Sequence, residues 1–213
     1  MEETVTRAQQ RRRAVADTDE CRETGLRGAA PTHAVGHRAA RFMPPANLAS
    51  LRRVCGIDPG LLRTGYGILS IDGGEPTVIE AGVLRPGPAA DALAARLKSL
   101  ADSLDELLEE HEPEAVAVEQ LYAHYRHPRT AILMGHARGV ILLAAAKRGL
   151  PVIDLPATTI KRHLTGTGHA TKDQVQRMIA RTLGLRRVPR PPDVADALAI
   201  AYCALNRARI RAR

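Results

Sequence analysis

The fold is decided by RRVCGIDPG at residues 52–60 and TGYGILSI at residues 64–71. Val54, Cys55 and Ile57 supply the apolar density of a buried strand, and Asp58-Pro59-Gly60 is turn chemistry. Thr64 to Ile71 reads as a second strand, and Pro76 to Leu84 as a third. Asp72-Gly73-Gly74 between these two suits a hairpin. Two adjacent hairpins predict three antiparallel strands.

Beyond them the period changes. Leu93, Leu97, Leu100, Leu104, Leu107 and Leu108 recur at three- and four-residue steps, which predicts an amphipathic helix over residues 89–110, ended by Pro113. Ala115-Val116-Ala117-Val118 is a short apolar strand running into Glu119. Residues 129–147 are apolar almost all round, which predicts a buried helix, and Gly149-Leu150-Pro151 stops it. Val152 to Leu155 forms a fifth strand. Thr171 with Gln174 makes a capping box that opens a helix to about Leu183, and Pro191-Pro192-Asp193 opens the last helix, to about Asn206. The fourth and fifth strands each follow a helix, so they should run parallel to the first. The predicted class is α/β, with a five-stranded mixed sheet (three antiparallel strands, then two parallel) flanked by helices.

Composition narrows the function. The chain has 213 residues, enough for one domain and an extension. With 31 basic and 23 acidic side chains the net charge is +8, which suits a polyanionic partner such as nucleic acid, or an anionic membrane face; a basic surface kept for solubility is the plainer reading. The longest apolar stretch, Gly139 to Ala146, falls short of the about 20 residues of a membrane span, so no membrane association is expected. The first residues lack the apolar core of a signal peptide. Cys21, Cys55 and Cys203 are an odd count without a CxxC pair, which argues against a disulfide framework and for a reducing, cytoplasmic location. Residues 1–51 combine arginine clusters, scattered acids and few large apolar side chains, and are expected to be a disordered basic extension. Residues 52–206 carry the ordered domain, and 207–213 a basic, frayed tail.

Four carboxylates stand out by position. Asp58 and Glu119 end the first and fourth strands; as parallel neighbours these would emerge at one edge of the sheet, where open α/β sheets bind ligands. Asp193 and Asp196 are three apart at the start of the last helix and share a face. Such a set can hold two divalent cations about 3.5–4 Å apart for an in-line phosphoryl displacement. Each acid also has a plainer explanation. Asp193 suits a helix dipole, and Asp58 suits a turn. Asp196 among buried neighbours fits the dipole less well, and Glu119 directly after Ala-Val-Ala-Val is costly unless paired or metal-bound.

In order and spacing, residues 52–206 resemble the RuvC-type Holliday junction resolvases. The resemblance rests on Gly56-Ile57-Asp58-Pro59-Gly60 with Thr64-Gly65-Tyr66-Gly67, on Val118-Glu119-Gln120, on Gly135-His136-Ala137-Arg138-Gly139-Val140 and on Asp193-Val194-Ala195-Asp196-Ala197-Leu198-Ala199. It implies an RNase H-like fold and a homodimeric endonuclease that nicks opposing strands of a four-way DNA junction with Mg²⁺ or Mn²⁺, leaving 5′-phosphate and 3′-hydroxyl ends. It implies that Asp58, Glu119, Asp193 and Asp196 are the catalytic metal-binding acids, two ions per site, ionised at neutral pH by the cations. It also implies that Tyr122 stacks on a base, that Lys161 and Lys172 contact DNA near the scissile phosphate, and that a branch-migration complex of the RuvA and RuvB type is a partner. The segment Ala123-His124-Tyr125-Arg126-His127-Pro128 departs from the family pattern, which bears on sequence preference.

Three rival readings of the residues remain open. An actin- or sugar-kinase-type phosphate binder opens similarly but needs two such domains. An RNase H-like nuclease for another DNA or RNA structure would be separated by substrate competition. A non-catalytic junction binder would bind without metal and without nicking.

Overall fold

A computed structural model describes residues 51–121 and 128–211. In chain order the elements are β1 (Arg53–Asp58), β2 (Thr64–Ser70), β3 (Thr77–Leu84), α1 (Leu93–His111), β4 (Ala115–Glu119), α2 (Pro128–Lys147), β5 (Val152–Leu155), α3 (Ala157–Thr165), α4 (Lys172–Thr182) and α5 (Pro192–Arg211). The sheet order is β3-β2-β1-β4-β5. β1 pairs antiparallel with β2, and β2 with β3; β1 pairs parallel with β4, and β4 with β5. This is the expected mixed sheet, and the register sets Ile57 of β1 beside Val118 of β4, so Asp58 and Glu119 leave the sheet together.

Alternation along the strands divides the core between two faces. Val54, Leu69, Ala115 and Ala117 pack under α3, α4 and α5. Cys55, Ile57, Ile68, Val116 and Val118 pack under α1 and α2. With so few aromatic side chains, close approach of backbones substitutes for bulk. α5 lies directly on β1 and β2 through Ala197, Leu198 and Ala201. A Cβ at Gly56 would stand 2.3 Å from the Ala197 carbonyl oxygen, and one at Gly65 would stand 2.1 Å from that of Asp193. Only glycine at these two positions lets the helix settle on the strands.

The structure departs from the sequence reading at several places. α3 was not expected; its Ile160 and Leu164, one helical turn apart, are buried against the core. α2 was expected to be buried all round, but it has one buried face (Ala137, Ile141, Ala144, Ala145) and exposes Ile132 at 61 % and Leu143 at 56 %. Residues 129–147 are long and apolar enough to cross a membrane by length and composition; their buried face packs on the core that also holds Leu100 and Leu104 of α1. α5 runs to Arg211, past Asn206, and Ala208 within the added turn is buried. Leu51 already belongs to the core. Cys55 and Cys203 are free buried thiols, and burial pushes them up to about 12 and about 11.

Candidate active site

Asp58 ends β1 and Glu119 ends β4, one strand apart at the same edge. Asp193 and Asp196 occupy the first turn and a half of α5, and the Gly65 contact seats that turn against the start of β2, directly beside Asp58. Asp196 accepts from Lys172 Nζ at 2.5 Å and from Gln176 Nε2 at 3.4 Å. Lys172 is the first residue of α4. It is fixed there by the capping box, in which Thr171 Oγ1 accepts from the Gln174 amide and Gln174 Oε1 accepts from the Thr171 amide.

The acids share one electrostatic environment. Burial, then repulsion from Asp196 and Glu119, and more weakly from Asp193, pushes Asp58 up to about 8, with Lys172 opposing. Burial, followed by Asp196, also raises Glu119, with Lys161 and Lys172 opposing. Burial alone would lower Lys172, but its hydrogen bond and attraction to Asp196, then Asp58 and Asp193, outweigh that and raise it. The expectation of ionised acids at neutral pH therefore needs the cation at Asp58, which burial and like charge otherwise keep protonated.

Two clefts meet here. Glu119, Asp196, Lys161 and Lys172 line one of about 270 Å³. Asp58, Asp193, Arg63, Arg129 and again Lys172 line another, so the lysine stands between them. Asp193 Oδ2 is buried without a hydrogen bond; Arg63 Nε approaches it to 3.5 Å but is not aligned to donate. An orphaned carboxylate oxygen among other carboxylates is a donor set for a hard divalent cation, which prefers oxygen ligands. The acids are not drawn tight. Among the described residues, the metal-ligating side chains whose donor atoms all lie within 4.8 Å of one another are elsewhere, at Glu80, Glu110 and His111.

The structure thus brings together Asp58, Glu119, Asp193, Asp196, Lys161 and Lys172. Tyr122 lies outside the described residues. Gly166 closes α3 as a left-handed cap. Sequence reasoning missed Arg138 as a positioning residue. From α2 it donates Nη1 to the Glu119 carbonyl at 2.9 Å and pairs through Nη2 with Asp154 of β5, clamping the end of β4. The only signal was its place in the Gly135–Val140 segment.

A 3-2-1-4-5 mixed sheet that presents carboxylates at the ends of two parallel strands and on an overlying helix defines the RNase H-like class of nucleases. The comparisons agree and narrow it. A family model described as "Crossover junction endodeoxyribonuclease RuvC" matches residues 54–204. The crossover junction endodeoxyribonuclease RuvC of Rhodopirellula baltica is 47% identical over 150 residues, covering 70% of this chain and 84% of that protein. The solved structure of T. thermophilus RuvC in complex with Holliday junction substrate superposes with a TM-score of 0.70 at 34% identity, covering 76% of this chain and 97% of that one. The yeast mitochondrial Holliday junction resolvase Ydc2 shares the fold, with a TM-score of 0.56 at 14% identity, covering 76% of this chain and 83% of that one. The chain belongs to the RuvC family of crossover junction endodeoxyribonucleases.

Proposed function

We propose that this protein resolves four-way DNA junctions by paired nicks in opposing strands, and that Asp58, Glu119, Asp193 and Asp196 are its catalytic acids. One observation supports the assignment: Asp58 and Glu119 leave adjacent strand ends beside the first turns of α5, and Lys172, bonded to Asp196, lines both of the adjoining clefts between which the four acids are divided. In this reading the acids hold two Mg²⁺ ions, with Mn²⁺ an acceptable substitute. Bound there, the cations would supply an activated water for in-line attack on the scissile phosphorus and charge neutralisation at the departing 3′ oxygen, which would leave 5′-phosphate and 3′-hydroxyl ends.

The protein's own groups do the rest. Asp58 and Glu119 anchor the cations from strand ends that the sheet register holds rigid. Asp193, with its orphaned oxygen, and Asp196 complete the set from α5. Lys172, which pairs with Asp196, would contact a non-bridging phosphate oxygen of the DNA, and Lys161, lining the same cleft, would contact the same strand. Tyr122 stacks on a base near the junction centre. The catalytic domain is placed on residues 52–206, with Leu51 before it and the last turns of α5, through Ala208, joining its core, and the rest of 1–51 and 207–213 form a basic extension and a basic tail. A homodimer presents two such sites to the two strands, with the exposed Ile132 and Leu143 of α2 offering an apolar interface. A RuvA- and RuvB-type branch-migration complex is the expected partner, and the cytoplasm the expected location.

The test is a cleavage assay on a synthetic four-way junction, in competition with linear duplex and RNA–DNA hybrid, with and without Mg²⁺. Symmetric, Mg²⁺-dependent nicks in the junction alone are expected, abolished in Asp58→Asn with junction binding retained. Equal cutting of duplex or hybrid, or near wild-type cutting by the variant, would overturn the reading.

A further inference from the structure

We propose that Glu80, Glu110 and His111 form a second divalent-metal site of the zinc class, separate from the acidic pocket. Glu80 sits on β3 in register with Ile68 of β2, which pairs with Cys55 of β1. That row is three residues back from Asp58, about 10 Å along the strand. His111 is the last residue of α1, where its carbonyl accepts from Arg53 Nη1 at 2.8 Å near the start of β1. One donor atom from each of Glu80, Glu110 and His111 lies within 4.8 Å of the others.

A cluster of this kind is common without an ion, so the imidazole decides the case. The His111 side chain is only 11 % exposed, and its Nε2 is fully buried without a hydrogen-bond partner. Glu80 Oε2 is 2.9 Å from that nitrogen, yet off the line along which an N–H would donate. A close but misaligned N···O pair is the arrangement two ligands take around a shared ion: tetrahedral zinc with bonds of about 2.0–2.1 Å sets its donors roughly 3.3 Å apart. The other Glu80 oxygen, Oε1, accepts from Tyr66 Oη at 2.5 Å, which orients the carboxylate as an outer partner does in metal sites. Burial, then that hydrogen bond, then the Glu80 and Glu110 charges hold the Tyr66 phenol above its ordinary range, which places both carboxylates close to it. Among the described residues, no Lys or Arg forms an ion pair with Glu80 or Glu110. His111 is thus the one basic group that meets Glu80, and one imidazole with two carboxylates that have no Lys or Arg partner is a zinc-type donor set that leaves a fourth position for water. The ion would tie the edge strand β3 to the end of α1.

The test is calorimetric titration of the full-length chain with ZnCl2, in excess Mg²⁺ to occupy the acidic pocket, for wild type, His111→Gln and Glu110→Gln. Zinc bound by other histidines is common to all three. Wild type should take up one more equivalent than either variant, and zinc should raise its thermal midpoint by more than it raises theirs. Glu110 is exposed, so Glu110→Gln leaves the fold intact and keeps the comparison meaningful if His111→Gln unfolds. Equal stoichiometry and equal thermal shifts in wild type and Glu110→Gln would overturn the site. Junction cleavage is not part of the readout, so this result is independent of the proposed nuclease activity.

Discussion

Replacing Asp58 by asparagine removes a carboxyl that the metal-free protein moves from an ordinary 3.8 to about 8. Between those values the folded state keeps a proton that the unfolded chain has lost, so stability falls as pH rises through the window and levels off above it. The sign is opposite to that of a salt-bridged carboxylate: ionising Asp58 works against folding. At about 1.36 kcal/mol per pH unit, the displacement sets a ceiling of roughly 6 kcal/mol at high pH. Asp58 is only half-buried, and water at its open edge lowers the cost, so about 2–3 kcal/mol is the expected size. Asp58→Asn escapes this cost. In EDTA it should be more stable than wild type by that margin at about pH 8, and the two should converge near pH 4. Urea unfolding followed by circular dichroism at several pH values measures the gap. Saturating Mg²⁺ should reverse the order, because ligand that binds only the folded state stabilises wild type by mass action and finds a weakened site in the variant. A variant less stable than wild type at pH 8 in EDTA, or a gap that ignores pH, would refute the reasoning.

Three further substitutions probe how the pocket is assembled. Gly65→Ala puts a Cβ 2.1 Å from the Asp193 carbonyl, so α5 must lift; a loss of about 1–3 kcal/mol in urea unfolding and at least a tenfold loss of junction cleavage are expected. Thr171→Ala breaks the capping box that begins α4, which should cost about 1 kcal/mol and slow cleavage by loosening Lys172, with Thr171→Ser restoring both. Arg138→Met frees the Glu119 carbonyl, and should lower the single-turnover cleavage rate while leaving junction affinity within twofold; an unchanged rate would remove Arg138 as a positioning residue.

Much of this was legible in the sequence because the signals were local. Val54-Cys55-Gly56-Ile57 and Ala115-Val116-Ala117-Val118 are short apolar runs bounded by turns, and their order around a leucine-periodic helix dictated two parallel strands with acids at their ends. What stayed hidden depended on contacts distant in sequence. α3 carries Thr158 and Thr159 near its start, poor helix formers, and is held by burying Ile160 and Leu164. The reason for glycine at positions 56 and 65 is visible only once α5 lies on β1 and β2. Residues 129–147 look apolar almost all round in sequence, and only the packed structure tells the face on the core from the face carrying Ile132 and Leu143. The raised Asp58 carboxyl follows first from burial and then from three acids converging from two other elements, neither of which spacing alone reports.

The central claim concerns where cations bind, and anomalous diffraction from crystals soaked in Mn²⁺ tests it directly. Two peaks about 3.5–4 Å apart, ligated by Asp58, Glu119, Asp193 and Asp196 with Lys172 displaced from Asp196, are expected. Well-ordered crystals showing no manganese among these four carboxylates at a saturating concentration would contradict the account.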